Sequence, residues 1–88
     1  MVMEVTSTDF KEIIKKNEIV VVKYEASWCG PCKLLTPIVE EVSKELTKIK
    51  FVKVDVDEST EIAGEYEVGS VPTLIVFHKG KEIDRLVG

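Results

Sequence analysis

Strand-like and helix-like spacings of apolar residues alternate along this chain from its start. Val2 to Val5 reads as a short strand. Phe10, Ile13 and Ile14 then fall on one face of a helix that Ser7 or Thr8 can cap and that ends near Asn17. Ile19 to Ala26, rich in Val and Tyr, predicts a strand. Its run Ile19-Val20-Val21-Val22 is apolar at consecutive positions, which predicts burial on both faces. Leu34, Leu35, Ile38, Val39, Val42 and Leu46 recur at three- and four-residue steps and predict a longer helix, kinked by Pro37. Ile49 to Val56 predicts a strand, Ser59 to Tyr66 a short helix, and Pro72 to Phe77 another strand. The turn His78-Lys79-Gly80-Lys81 leads into a last strand, Glu82 to Val87, so these two strands form a hairpin.

The order is therefore βαβαβαββ. Alternating strands and helices imply right-handed crossovers and parallel pairing, and the final hairpin adds an antiparallel part. An α/β architecture follows: a central mixed sheet of about five strands with helices on both faces. No linker, repeat or low-complexity stretch divides the chain, so residues 1–88 read as one small domain.

Composition changes the picture only by exclusion. Hydrophobic residues make up 44% of the chain, enough to fold rather than stay disordered. A net charge of −4, with mixed signs along the chain, speaks against nucleic acid as a partner. No apolar run approaches the roughly 20 residues of a membrane span. The start, MVMEVTSTDF, lacks a basic segment followed by an apolar one, so no secretory signal is expected and a cytoplasmic, membrane-free location is.

The chemistry concentrates in Trp28-Cys29-Gly30-Pro31-Cys32-Lys33. A structural staple is a weak reading of the two cysteines, because a four-residue loop gains only roughly 2 kcal/mol by the chain-entropy relation. Zinc is also weak, since a structural site needs four ligands and the chain adds only a lone His78. A half-site shared between two chains would need a second assumption. A redox pair fits better. Residues i and i+3 of a first helical turn share a face and lie within disulfide reach. A helix N-terminus, with unpaired amides and partial positive charge, favours a thiolate at Cys29. Pro31 suits a first turn, where its missing N–H costs nothing, and Gly30 leaves the approach to Cys29 open. Cys29 is then the exposed attacking sulfur and Cys32 the shielded one that resolves the mixed disulfide. Lys33 reads as a solvated helix position.

These residues resemble the active site of the thioredoxin family. Pro37 resembles that family's kinked second helix. Val54-Asp55-Val56-Asp57 is similar to the end of its third strand, and Tyr66 to Thr73 to the approach to its cis-proline. Gly80 is similar to the hairpin turn and Val87-Gly88 to the end of the last strand. The resemblance covers essentially the whole chain. It implies a thiol–disulfide oxidoreductase that reduces protein disulfides, with no cofactor beyond a Cys29–Cys32 disulfide and with a thioredoxin reductase as partner. It implies that Trp28, Gly30, Pro31, Lys33 and Pro72 support the cysteines, that Pro72 is cis, and that Val71, Thr73, Val87 and Gly88 line a groove for an extended substrate peptide.

Two departures from the family stand out. Lys23 occupies the position of the family's buried aspartate behind the second cysteine, and Glu25 that of an aromatic residue. Strand period two puts Lys23 and Glu25 on one face, and Lys53 matches the lysine that usually faces the aspartate. One reading makes Glu25 a counter-charge shared between Lys23 and Lys53 and a substitute base. The other lets Lys23 snorkel to solvent with Glu25 as a surface partner. The second departure is the end of the chain. The family has one more helix, whereas this sequence stops at Gly88. The strand 73–77 is apolar on both sides, so exposed apolar surface is expected, covered by a dimer or another partner unless the chain is truncated. Lys23 and the shortened end support a competing function, an interaction module with little turnover.

Overall fold

A computed structural model describes residues 2–88. Its elements are β1 (Met3–Glu4), α1 (Ser7–Lys16), β2 (Ile19–Glu25), α2 (Gly30–Glu45), β3 (Lys50–Asp55), α3 (Thr60–Glu65), β4 (Thr73–His78) and β5 (Lys81–Val87). The strands form one sheet in the order β1-β3-β2-β4-β5. β1, β3 and β2 run parallel, while β4 is antiparallel to both β2 and β5. The expected mixed sheet is therefore present.

The two faces of the sheet follow from strand alternation. Val20, Val22 and Tyr24 of β2, Val52 and Val54 of β3, and Ile75 and Phe77 of β4 pack with Phe10, Ile14 and Ile62 from α1 and α3. Phe10, Tyr66 and Phe77 meet there edge-on or tilted, with centroids 5.2–5.7 Å apart. On the other face α2 sets Val39 against Val2 and Phe51, with Val21, Leu35 and Ile49 alongside. β2 is thus covered on both sides, as its continuous apolar run predicts.

Local chemistry explains the connections. The β4–β5 turn holds Lys79 at φ 52° and Gly80 at φ 85°. Two successive positive φ angles match the twist of a tight hairpin, and glycine adopts the second without a Cβ penalty. Pro31 sits in the first turn of α2, and Pro37 lies inside the helix.

Three expectations need correction. The cap of α1 is Thr6, not Ser7 or Thr8: its backbone is extended and its carbonyl accepts from Asp9 and Phe10, with no side-chain capping bond. β1 shrinks to two residues, leaving Val2 and Val5 buried beside it. The apolar side of α2 is only partly used. Leu34, Ile38, Val42 and Leu46 are exposed, Leu34 at 76%. α2 packs along Val39 and Leu35, and the flank carrying Leu34 and Ile38 faces away from that contact. β5 is the last element, and Leu86 is exposed in register with the half-buried Leu74. Leu74 and Leu86 thus present apolar side chains on this side of the sheet.

Candidate active site

β2 ends at Glu25, and the chain turns immediately: Cys29 N–H donates to the Ala26 carbonyl at 3.1 Å. Cys29 then caps α2, where its Sγ accepts from Cys32 N–H at 3.1 Å. One amide at the head of the helix, that of Cys32, is thus directed at this sulfur, an arrangement that stabilises negative charge. Cys29 and Cys32 are joined in a disulfide, with Cα atoms 5.3 Å apart. Ala26, Val56 and Val71 pack around the pair.

The expected contrast in exposure is not seen in this oxidised state. Cys29 is 4% exposed and Cys32 2%. Both cysteines lie in a small cluster with Ala26, against which Val56 and Val71 pack. The approach is nonetheless clear on one side, because a Cβ at Gly30 would meet nothing within 4 Å. Pro31 and Lys33 are exposed around it, Lys33 as a solvated helix residue.

Trp28 is 68% exposed, and its indole Nε1–H donates to Asp57 Oδ2 at 2.7 Å. Asp57 is placed by the loop after β3, where Asp55 Oδ1 accepts from the backbone N–H groups of Asp57 and Glu58. A tryptophan left in water with its donor occupied is a held platform rather than core packing. Asp57 escaped the sequence reading as a site residue. Its sequence position after the strand 49–56 carries no sign that it meets Trp28, 29 residues away.

The second wall comes from the loop before β4. The Val71–Pro72 bond is cis, Val71 is half-buried, and Pro72 is buried. Trp28, Val56, Val68, Gly69, Ser70 and Val71 line a depression of about 110 Å³ beside the disulfide. Across Pro72 lies an apolar groove of about 220 Å³ lined by Leu35, Pro72, Leu74, Leu86 and Gly88. Gly88 N–H donates to the Pro72 carbonyl at 3.1 Å, which brings the last residue to the site. Val87 is exposed and pairs with Thr73 across the hairpin. Thr73 does not line the surface, contrary to expectation. It is 1% exposed, and its hydroxyl donates to Ser70 O at 2.7 Å, bracing the loop from beneath.

Arg85 also supports this loop. Its guanidinium donates to the carbonyls of Tyr66 and Glu67 at 2.6 and 3.2 Å while holding Glu82 in a two-pronged pair. These bonds tie β5 to the end of α3, from which the chain runs to Val71. The Arg85 hydrogen bond holds the Glu82 carboxyl below its usual range.

Behind the cysteines, Lys23 is buried, with only 2% exposed, so it does not snorkel to solvent. Its ammonium lies 2.7 Å from Glu25 Oε1 and donates to Thr36 Oγ1 at 2.6 Å. Thr36, one turn after Cys32, donates in turn to the Cys32 carbonyl at 3.1 Å. Glu25 is thus the partner of Lys23, and neither alternative holds in full: Lys23 does not reach solvent, and among the described residues Glu25 is not shared with Lys53. Lys53 stands beside Lys23 in the β2–β3 register and makes no ion pair among the described residues. Thr36 went unnoticed in the sequence because a threonine within a helix carries no chemical signal of its own.

Among the described residues, no group of three or more His, Cys, Asp and Glu side chains is placed to hold a metal ion. No helix there is long and apolar enough to cross a membrane.

Comparison with known proteins gives one answer. The thioredoxin family profile matches residues 1–88. The thioredoxin of Mycoplasmoides gallisepticum is 48% identical over 80 residues, covering 91% of this chain and 80% of that protein. Thioredoxin 1 of Plasmodium falciparum is 47% identical over 89 residues, covering 100% of this chain and 86% of that protein. A solved structure of Plasmodium falciparum thioredoxin superposes with a TM-score of 0.96 at 45% identity, covering 99% of this chain and 86% of the other. Oxidised mitochondrial thioredoxin 3 of Saccharomyces cerevisiae gives 0.94 at 38% identity, covering 99% and 83%.

Proposed function

The chain belongs to the thioredoxin family, and we propose that its exchange cycle divides between Cys29 as the attacking thiolate and Cys32 as the resolving thiol. The activity is that of the family: the protein is a thiol–disulfide oxidoreductase that reduces protein disulfides through its own cysteine pair, without a cofactor. One observation carries the division of roles. Cys29, not Cys32, is the N-cap of α2, and its sulfur already accepts a helix amide. In the reduced protein the same amide and the helix terminus stabilise a Cys29 thiolate.

The steps balance within the site. The Cys29 thiolate attacks one sulfur of the substrate disulfide and expels the other as a thiolate, forming a mixed disulfide. The Cys32 thiolate then attacks Cys29 Sγ, the Cys29–substrate bond breaks, and the second substrate sulfur leaves. Two electrons have passed to the substrate, its two sulfurs have taken up the two thiol protons, and Cys29–Cys32 is oxidised. A thioredoxin reductase returns it to the dithiol.

Trp28 and Val71 flank the sulfur, and Pro72, Val87 and Gly88 extend the rim, which supports docking of an extended substrate segment between them. Gly30, Pro31 and Lys33 form the exposed turn through which it enters. We assign the whole of residues 1–88 to this one unit and place its work in the cytoplasm, where thiols stay reduced. The apolar groove by Leu35, Leu74 and Leu86 supports cover of that face by a second chain, by a partner protein or, in a longer chain, by residues beyond Gly88. The test of the roles is trapping. A Cys32→Ser variant should accumulate a stable mixed disulfide with a disulfide-bonded peptide, seen by mass spectrometry as an adduct on Cys29. An adduct on Cys32 in the matching Cys29→Ser variant, formed faster, would reverse the assignment, and one formed at equal speed would abolish it.

A further inference from the structure

Lys23 is the only buried Lys, Arg, Asp or Glu among the described residues. A buried ammonium is costly unless paired and hydrogen-bonded, and here it has both a carboxylate and a hydroxyl. Its hydroxyl partner, Thr36, hands the contact on to the Cys32 carbonyl. β2 is thereby fastened to the first turns of α2, directly behind the resolving cysteine.

The ion pair is lopsided. The side chain of Lys23 is 3% exposed and that of Glu25 22%. Water therefore screens the carboxylate more than the ammonium, and the positive end dominates toward the protein interior. The other charged groups on this face are few. Lys53 adjoins Lys23 on β3, Asp55 lies beside Glu25, and Glu40 of α2 joins Lys23, Lys53 and Thr36 around a cavity of about 10 Å³. From β4, the apolar Leu74 is paired with Lys23.

We propose that Lys23 is a positioning residue for the resolving step: with Thr36 it fixes the turn that carries Cys32, and its buried positive charge stabilises the Cys32 thiolate. The proposal rests on the oxidoreductase reading above. In the step it assists, the Cys32 thiol loses its proton to water, and its sulfur bonds to Cys29 Sγ. The Cys29–substrate bond breaks, and the departing thiolate takes up a proton. No other reductant enters. The buried ammonium makes the thiolate itself less costly.

The experiment uses the reduced full-length chain and one equivalent of 5,5′-dithiobis(2-nitrobenzoate) in a stopped-flow instrument. Attack by Cys29 releases the first coloured thiolate, and resolution by Cys32 releases the second. Lys23→Met keeps the length of the side chain and removes its charge. It should raise the pH midpoint of the second release by about one unit, a roughly tenfold slower rate below that midpoint, and leave the first release unchanged. Glu25→Gln, which removes the opposing charge, should lower the same midpoint. Adding Lys23→Met to Glu25→Gln should raise it again. A second release indifferent to Lys23→Met in either background overturns the proposal. So does a midpoint that rises in Glu25→Gln, which would make Glu25 the base. Should Lys23→Met fail to fold by circular dichroism, the sign of the Glu25→Gln shift decides alone. Failure of the first release in the parent chain would instead strike at the oxidoreductase reading.

Discussion

Replacing Tyr24 by Phe should stabilise this protein. Tyr24 lies near the end of β2, fully buried between the sheet and the helices α1 and α3, and its hydroxyl has no hydrogen-bond partner among the described residues. A buried hydroxyl left unpaired costs about 1–3 kcal/mol. Tyr24→Phe deletes that oxygen and keeps the ring in its packing. After allowing for the small void left behind, a gain of about 1 kcal/mol is expected, equivalent to a rise of roughly 4–8 °C in Tm for a domain of this size. The same residue sets an alkaline limit. Burial raises the phenol well above its ordinary value, and the nearby Tyr66 adds to the effect. The folded state therefore holds a proton that the unfolded chain gives up. The resulting stability is fully present below about pH 10 and is lost above it at up to about 1.4 kcal/mol per pH unit. Tyr66 is shifted in the same direction by its own burial and remains in the variant. Urea unfolding followed by far-ultraviolet circular dichroism, at about pH 7 and pH 11, should show the advantage of Tyr24→Phe widening at the higher pH. A variant less stable at neutral pH, or one that loses as much stability as the parent on going alkaline, would refute the reasoning.

Three further outcomes follow from the site. Asp57→Ala releases the Trp28 indole and should change Trp28 fluorescence and lower disulfide reduction several-fold, with a stability cost under about 1 kcal/mol; an unaltered spectrum and rate would show that the platform does not depend on its anchor. Arg85→Met cuts the link between β5 and the end of α3 and should cost about 1–2 kcal/mol in urea unfolding, because two backbone carbonyls lose a charged donor. The Glu82 carboxyl is held low by Arg85, so its contribution is present above the ordinary carboxylate range and fades as pH falls. Arg85→Met should therefore flatten the acid limb of the stability curve, and an unchanged limb would remove Arg85 from that role.

The parts legible in the sequence were those where one residue type fixes one geometry. Gly80 after Lys79 marks a tight hairpin, and the apolar run of β2 marks a strand covered twice. Cys29, Cys32 and Pro31 define the start of α2 by spacing alone. What stayed hidden depended on contacts between distant segments. The burial of Lys23 is decided by Thr36 and Glu25 together, and neither spacing nor charge pattern shows that a lysine points inward. Asp57 meets Trp28 only because the loops after β3 and β2 open at the same end of the sheet. Periodicity misled in α2 for a similar reason. It places Leu34 and Ile38 on the apolar side without revealing that the described chain provides no surface to cover them.

The cysteine pair at the head of α2 is a working redox centre. Its most direct test is dithiothreitol-driven reduction of insulin disulfides, with Cys29→Ser measured in parallel. The parent chain should give a clear acceleration that vanishes in Cys29→Ser. A folded parent chain that leaves the rate at that of dithiothreitol alone, or a Cys29→Ser variant that keeps the acceleration, would contradict it.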